Sequence, residues 1–386
     1  MTSLHLVIAI FLLLLAIGLT MVLSASSAMA LKPTSKITAF ADFQKQSVFA
    51  AIGLVAFYFV AKLPVKVIRG WSTAMVMASL VMLVAVLVPG IGLNINGAQS
   101  WIGISKGLSF QPSEIAKLSL LLWSAHVFAA RRSTLGSFKQ LFFPVIPVTL
   151  LMGGLIVLQP DVGTLVTMAI VIAAVLWFAG AQLRWFISAA VLGLAGLAYL
   201  SFSAEYRLNR IKALLDPSAY SEISYQLLQG LYGMGRGSWF GVGLGESRAK
   251  WSWLPYANSD FIFAIIGEEL GLIGAGLVIA LFALLAYTGM RIVRRSVDPF
   301  SKIAAGACTV WLVGQASINI GYVVGALPTT GLTLPMISSG GTSLLVTMAV
   351  FGLLANFARN EPAAAAALRE NGPGRMARWL GWGTRQ

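Results

Sequence analysis

The sequence predicts an all-α, polytopic membrane protein with about ten transmembrane helices and a large extracytoplasmic loop between helices 7 and 8. Of its 386 residues, 58% are hydrophobic and 10% are charged, whereas soluble domains usually carry about 25% charged residues. Apolar runs of about 18 or more residues recur along the chain, and each can span a bilayer. These observations exclude an ordinary soluble enzyme.

The apolar runs divide the chain into a membrane domain, residues 1–358, and a tail, residues 359–386. The connections 25–45, 90–112 and especially 204–259 are long enough to contain structure of their own. The tail combines an alanine run with Gly, Pro and Arg and is expected to be largely disordered. The predicted helices cover residues 4–24, 46–63, 70–89, 113–130, 141–158, 163–181, 185–203, 262–289, 303–326 and 340–358.

The first predicted helix resembles a signal peptide in one respect. Ala28-Met29-Ala30, which follows its apolar run, has the pattern of a signal-peptidase cleavage site. A signal peptide has a basic start and a shorter apolar core. This segment has neither, so we expect a retained helix. An even number of helices places both termini on one side, and most Lys and Arg residues of the short loops and the tail fall there. The termini are therefore expected to be cytoplasmic.

Composition also excludes several kinds of site. The net charge of +14 is not gathered into a basic, polar window, so no nucleic-acid partner is expected. Cys308 is the only cysteine, which excludes an intrachain disulfide and a thiolate metal cluster. With only His5 and His126, a His-rich zinc site is not expected.

Five of the thirteen carboxylates lie inside predicted helices or at their ends. Each would cost about 2.5 to 3.5 kcal/mol near a bilayer centre, so each should face a cavity, a partner or the interface. Local pairing with bases or capping of helix starts can explain any one of them, but explains the whole set less well. The five are Glu114, Asp161, Asp260, Glu268 and Glu269.

Three of these acids have a specific local context. Glu114 and Lys117 are three residues apart and can pair on one helix face, as a stabilising ion pair or in contact with substrate. Asp161, in the run Gln159 to Thr164, predicts a tight outer turn in which it caps the next helix. Ser259 could likewise cap a helix with Asp260 in its first turn. Asp260 also stands where a basic loop meets an apolar run, at the mouth of any bundle cavity, where a base could act.

The 204–259 loop combines basic and aromatic side chains, which suits an anionic lipid or a sugar pyrophosphate. A Tyr/Trp interface belt would explain its aromatics but not Arg207 and Arg210. Its glycines, from Gly235 to Gly245, mimic a dinucleotide fingerprint, but no strand precedes them, so a re-entrant or amphipathic segment is preferred. The GxxxG spacing at Gly267 and Gly271 indicates close helix packing.

These residues and their order resemble the SEDS family (shape, elongation, division, sporulation; the FtsW/RodA type) of peptidoglycan glycosyltransferases, over roughly residues 10–358. The resembling segments are Asn96-Gly97-Ala98 with Trp101, Phe110 to Lys117, Gln159 to Thr164, Arg210 with Leu215-Asp216-Pro217, Tyr225-Gln226, Gly243-Leu244-Gly245, Leu254-Pro255 through Ser259 to Phe263, Gly267 to Gly271, and Leu327-Pro328 through Gly331 to Pro335, Ser338, Gly340, Gly341 and Ser343.

The sequence departs from the family pattern in places. It has Asn258-Ser259-Asp260 where the family usually has His-Thr-Asp, Ser339 where it has Tyr, and Ser100 where it has Arg before Trp101. The aspartate is retained, but what orients it is left open. Thr333 and Gly267 are more similar to division-type than to elongation-type members.

The resemblance implies a multi-pass enzyme of the bacterial cytoplasmic membrane that polymerises lipid II, releases undecaprenyl pyrophosphate with inversion, and acts at the division septum. It implies a class B penicillin-binding protein and other divisome proteins as partners. Asp260 would be the catalytic general base. Arg207, Arg210 and Lys250, with a possible divalent cation (Mg²⁺ or Mn²⁺), would stabilise the departing pyrophosphate. The remaining expected substrate-binding residues are Trp101, Glu114, Lys117, Asp161, Gln226 and Ser338.

Two other functions compete with this interpretation. A transporter or flippase of lipid-linked oligosaccharides could use the polar groups of the fourth helix and Glu268-Glu269 as a path. Most charged groups are predicted near outer helix ends, however, which favours chemistry at the surface. A scaffold that recruits division proteins through the 359–386 tail is the third hypothesis, and it can coexist with catalysis.

Overall fold

The protein is a bundle of helices with one small sheet at an end of the bundle. Seven helices in the described part of the chain are long and apolar enough to cross a membrane, so the predicted helical membrane architecture is confirmed. The computed structural model describes residues 3–27, 40–95, 98–105, 108–131, 143–188, 191, 221–251 and 254–362.

Each predicted helix except the seventh corresponds to an observed one. Residues 183–188 are helical at the start of the predicted seventh helix, most of which lies outside the described residues, as does the tail beyond residue 362. The labelled helices are α1 Ser3–Ser27, α2 Ala41–Lys62, α3 Val65–Leu87, α4 Pro112–Ala130, α5 Val145–Val157, α6 Val162–Ala179, α7 Ser221–Gly237, α8 Ile262–Arg295, α9 Pro299–Val323 and α10 Gly341–Arg359.

Several helices extend beyond their apolar stretches. Helix α3 begins at Val65 rather than at residue 70, so its first turns include Lys66 and Arg69. Helix α8 likewise continues through Arg294 to Arg295. The cause is physical: hydropathy detects the part of a helix that lies in hydrocarbon, whereas backbone hydrogen bonding continues into the polar interface.

The predicted connection 90–112 contains a three-stranded antiparallel sheet, β1 Gly92–Ile95, β2 Ala98–Ser105 and β3 Leu108–Phe110. Gln99 joins it to the bundle, because its side-chain amide donates to the carbonyl of Val86 at the end of α3 (3.0 Å). The strands are too short for their periodicity to be recognised in the sequence. The sheet leads directly into Pro112, the first residue of α4.

The interior of the bundle is aromatic and closely packed. The rings of Phe11 in α1 and Phe57 in α2 stack at 4.3 Å, and Phe351 of α10 packs against Phe11. Trp311 in α9 is fully buried, which places α9 centrally. Large apolar side chains elsewhere point outward, Phe59 with 60% of its surface exposed for example, as expected for helices that face lipid.

Helix α8 is interrupted at Gly271, whose φ of 66° is not helical. The segment that follows α7 fills the break: Val242 N donates to the carbonyl of Glu268 (2.9 Å) and Leu272 N to that of Ser238 (2.9 Å). A Cβ at Gly241 or Gly271 would overlap backbone across this junction. The glycine-rich run therefore closes a broken helix, as a protein-lined break in a membrane requires. Its first two glycines, Gly235 and Gly237, belong to the amphipathic helix α7.

Candidate active site

Two loops meet at one end of the bundle, residues 256–261 before α8 and residues 324–340 before α10. The last turns of α9 cross-link them. The Asn319 side-chain amide donates to the carbonyl oxygens of Asp260 (3.0 Å) and Leu332 (2.6 Å). The Tyr322 hydroxyl donates to Leu332 O at 2.6 Å and lies 3.0 Å from Asp260 O. The backbone of Asp260 is therefore fixed from the buried side.

Ser338 supplies a second cross-link between the same loops. Its hydroxyl donates to the carbonyl of Ser259 (2.7 Å) and accepts from Leu334 N (2.8 Å). Gln46 of α2 donates to the Ser338 carbonyl (3.2 Å). Both sides of the hydroxyl are thus engaged within the protein, which favours a positioning role for Ser338 over the direct substrate contact expected from the sequence.

Asn258 joins the Asp260 loop to helix α2. Its side-chain amide donates to Asp42 Oδ2 (3.0 Å), and its carbonyl accepts from Ser339 N (2.9 Å). Asn258 therefore connects two segments that lie far apart in the sequence. It holds the segment two residues before Asp260 against the first turn of α2.

The Asp260 carboxyl group is half-buried and has a raised pKa. Burial raises its pKa to about 6, and a hydrogen bond from the Ser259 side chain opposes the rise. A general base works best with a pKa near the operating pH. Gly331 faces this carboxylate: a Cβ there would lie 3.7 Å from Asp260 Oδ2, and its φ of 70° favours glycine. A bare glycine leaves room beside the carboxylate for a reacting group.

The expectation that Ser259 caps a helix is wrong. Helix α8 begins at Ile262, and its N-cap is Phe261, without a side-chain capping bond. Residues 256–261 form their own turn, in which Phe261 N donates to the Tyr256 carbonyl (3.3 Å). Because these residues form a separate turn, α8 begins only after Asp260. Asp260 therefore precedes the helix and does not lie in its first turn.

The tight turn predicted around Asp161 is confirmed. Asp161 is the N-cap of α6: its carboxylate accepts from Thr164 N (3.0 Å) and Thr164 Oγ1 (2.7 Å). Gln111, at the start of α4, donates to the same carboxylate (2.7 Å). A Cβ on Gly163 would lie 2.9 Å from the carbonyl oxygen of Thr330. Asp161 therefore joins α4 and α6 beside the 324–340 loop.

Glu114 and Lys117 form the predicted buried pair, with 2.8 Å between Lys117 Nζ and Glu114 Oε1. The ammonium also lies 5.1 Å from the centre of the Trp311 ring. Trp311 Nε1 donates to Gln315 (2.9 Å), which in turn donates to the carbonyl of Thr333 (2.9 Å). The ion pair is thus connected to the 324–340 loop through α9.

Lys250 lies in a separate, neutralised cluster with Glu268 and Glu269. Its ammonium contacts Glu269 Oε1 (2.9 Å), the Gly245 carbonyl (2.6 Å) and Ser24 Oγ of α1 (3.1 Å). These partners can take all three of its protons, so the structure favours a structural role over the expected contact with pyrophosphate.

The Glu268 carboxylate accepts several hydrogen bonds in the same cluster. It accepts hydrogen bonds from Ser247 Oγ (2.5 Å), Arg248 N (3.1 Å) and Ala249 N (3.2 Å), and Arg236 lies 3.4 Å away. The two glutamates therefore bind the 245–250 segment to α8 and α1.

The other expected site residues are less closely connected. Trp101 lies in β2, opposite Leu93, and Gln226 is half-buried on α7. Arg207 and Arg210 lie outside the described residues. Within the described ranges there is no group of three or more His, Cys, Asp or Glu side chains that could hold a metal ion. Binding of a divalent cation stays a prediction.

The site also contains polar residues that are not among those predicted from the sequence. Gln315, Asn319 and Tyr322 follow at intervals of four and three residues on one face of α9. Polar side chains with this spacing in an apolar helix are a signal by which these three residues could be recognised in the sequence. Asp42 and Gln46 carried no comparable local signal, because their partners lie far away in the sequence.

The fold and the site define a polytopic helical membrane protein with a half-buried aspartate, Asp260, between two cross-linked loops at one end of the bundle. The FtsW/RodA/SpoVE family of cell cycle proteins matches residues 4–362, and the chain belongs to this family.

Its relatives include a probable peptidoglycan glycosyltransferase FtsW of Mycobacterium tuberculosis, 45% identical over 98% of this chain and 72% of that protein. The stage V sporulation protein E of Bacillus subtilis is 38% identical over 92% of this chain and 96% of that protein. The crystal structure of the rod shape determining protein RodA of Thermus thermophilus is similar with a TM-score of 0.67 and 25% identity, over 92% of this chain and 96% of that one.

Proposed function

We propose that this protein is a peptidoglycan glycosyltransferase that polymerises lipid II into glycan strands, with Asp260 as its general base. The observation that carries the proposal is the position of Asp260. Its backbone is held by Asn319 and Tyr322, while its half-buried carboxyl group has a pKa of about 6. The relatives named as FtsW glycosyltransferases support the reaction class.

In the proposed reaction, the Asp260 carboxylate takes the proton from the acceptor sugar hydroxyl. The resulting oxygen attacks the anomeric carbon of the donor, and undecaprenyl pyrophosphate leaves from the opposite side, with inversion. General base catalysis of this kind typically contributes about 10²–10⁴-fold. Gly331 leaves space beside the carboxylate for the acceptor.

The leaving pyrophosphate requires positive charge. Because Lys250 is engaged with Glu269, we assign this task to Arg207 and Arg210 of the 204–259 loop, with a divalent cation, Mg²⁺ or Mn²⁺, as a further contributor. Trp101 and Gln226 are proposed to contact substrate directly. Glu114, Lys117, Asp161 and Ser338 act by positioning the helix ends around Asp260.

The proposed setting is the outer face of the bacterial cytoplasmic membrane at the division septum, with both termini cytoplasmic. The proposed partners are a class B penicillin-binding protein and other divisome proteins. The orientation can be tested by introducing single cysteines at both ends of α8 in a Cys308→Ala background. A membrane-impermeant thiol reagent added to intact cells should label the end near Asp260 and leave the end near Arg295 unlabelled.

The function is tested with the full-length protein, its transpeptidase partner and fluorescent lipid II. We expect glycan strands that lengthen with time, and comparison of Mg²⁺, Mn²⁺ and EDTA reveals the metal requirement. A parallel experiment in liposomes measures movement of lipid II between leaflets. Movement of lipid II between the leaflets, with no glycan polymer formed in either experiment, would refute the proposal and indicate a flippase.

A further inference from the structure

Helix α2 begins beside the loop that carries Asp260. Asp42 lies in the first turn of this helix, and Oδ2 of its carboxylate accepts a hydrogen bond from the Asn258 side-chain amide (3.0 Å). A hydrogen bond to an ionised acceptor is roughly twice as strong as one between neutral groups. The helix dipole also favours a carboxylate in the first turn. Asp42 is therefore a strong attachment point for the segment that leads into Asp260.

The same face of α2 also contacts the second loop of the site. Gln46 lies four residues after Asp42, so the two side chains share one helix face. The Gln46 side chain donates to the Ser338 carbonyl (3.2 Å) and accepts from Gly340 N (3.3 Å). One face of α2 thus sets the positions of the two loops relative to each other.

The segment around Asp260 is held at three consecutive residues. The carbonyl oxygens of Ser259 and Asp260 accept from side chains of the 324–340 loop and α9. Both contacts hold the backbone, whereas the bond to Asp42 holds the segment through the Asn258 side chain. This third contact restricts rotation about the other two, and the direction of the Asp260 side chain depends on that rotation. A displacement of about 1 Å at a reacting group can cost roughly 10²-fold in rate.

We propose that Asp42 is a positioning residue for catalysis: through its hydrogen bond with Asn258, it directs the Asp260 carboxylate toward the acceptor hydroxyl. This role rests on the proposed function, in which Asp260 is the general base. A link that only stabilises the fold would affect the stability of the protein and not specifically the step in which Asp260 takes the proton. Loss of positioning should lower kcat and leave KM for lipid II unchanged, because ground-state binding is retained.

The test measures kcat and KM for lipid II with the full-length protein and its transpeptidase partner. Asp42→Ala and Asn258→Leu should each lower kcat about tenfold with KM unchanged. The double variant should lose no more than either single variant, because both remove the same hydrogen bond. Asn258→His keeps an N–H donor at this position and should retain most of the wild-type kcat. Gln44→Ala is the matched control, because Gln44 is an exposed polar residue in the same part of α2.

The Asp260→Asn background distinguishes positioning from other roles of Asp42. In that background, Asp42→Ala should cause no further loss in the single-turnover rate, because the carboxylate that it positions is already absent. A further loss of about tenfold would show that Asp42 acts independently of Asp260 and would overturn the proposal. An unchanged kcat in both single variants, or a raised KM with an unchanged kcat, would overturn it as well.

Failure of the proposed function would give a different result. A wild-type rate in Asp260→Asn alone would refute the general base, whatever the effect of Asp42→Ala. Thermal unfolding midpoints show whether each variant remains folded. If Asp42→Ala does not fold, Asn258→Leu decides the question, because it removes the same hydrogen bond and leaves the sequence of α2 intact.

Discussion

Substitution of Glu269 by Gln should destabilise the protein strongly, because it leaves the Lys250 ammonium buried without its counter-charge. The Lys250 side chain is 1% exposed and that of Glu269 is fully buried. Glutamine preserves the shape of the side chain and can still hydrogen-bond Ser24. The ammonium keeps the Gly245 carbonyl and the Ser24 hydroxyl as acceptors, but neither carries a charge.

The expected loss in the free energy of unfolding is about 3–5 kcal/mol, the usual cost of removing one partner from a buried ion pair. Lys250→Met should cost a similar amount, because it leaves the Glu269 carboxylate buried. The double variant removes both charges. It should therefore lose less than the sum of the single losses, by about 0.5–3 kcal/mol of coupling.

The assay follows unfolding of the purified variants in detergent micelles by tryptophan fluorescence during titration with denaturant. Glu246→Gln is the matched control, because Glu246 is an exposed acid in the same segment and should change stability by no more than about 0.5 kcal/mol. Single losses as small as that of the control, or a double loss equal to their sum, would refute the reasoning.

Three further predictions concern the site. Asp161→Ala should lower the free energy of unfolding by about 0.5–2 kcal/mol in the same assay, because α6 loses its N-cap; no loss would contradict the capping role. Glu114→Lys combined with Lys117→Glu should recover much of the stability and polymerase rate that each single variant loses; failure to recover either would show that the pair does more than neutralise charge. Finally, kcat/KM should rise about tenfold per pH unit up to about pH 6 and then level off, since the base must be deprotonated and burial raises the pKa of Asp260 to about 6; a flat rate of lipid II consumption between pH 4.5 and 8 would argue against this assignment.

Local signals in the sequence predicted the helices and part of the site. Apolar length alone locates a transmembrane helix, and a spacing of three residues is sufficient to pair Glu114 with Lys117. The cap at Asp161 also depends only on its neighbours along the chain. These features involve contacts within one helix or one turn, which explains why no tertiary information was needed.

The remaining parts of the site depend on contacts between distant segments. Asn258 and its partner Asp42 are 216 residues apart, and Gln46 and Ser338 are 292 residues apart. The expected contact between Lys250 and the pyrophosphate follows from the family resemblance alone. Glu269, the partner of Lys250, comes within reach only because the segment after α7 packs against the break in α8, and local sequence does not encode that packing.

Single-turnover consumption of lipid II by an Asp260→Asn variant tests the central claim most directly. The control is Asp298→Asn, which alters a helix-capping carboxylate at the start of α9. We predict that Asp260→Asn lowers the rate by about 10²–10⁴-fold with unchanged thermal stability and partner binding, while Asp298→Asn stays near the wild-type rate. Glycan strands formed by Asp260→Asn at the wild-type rate would contradict the assignment of Asp260 as the base.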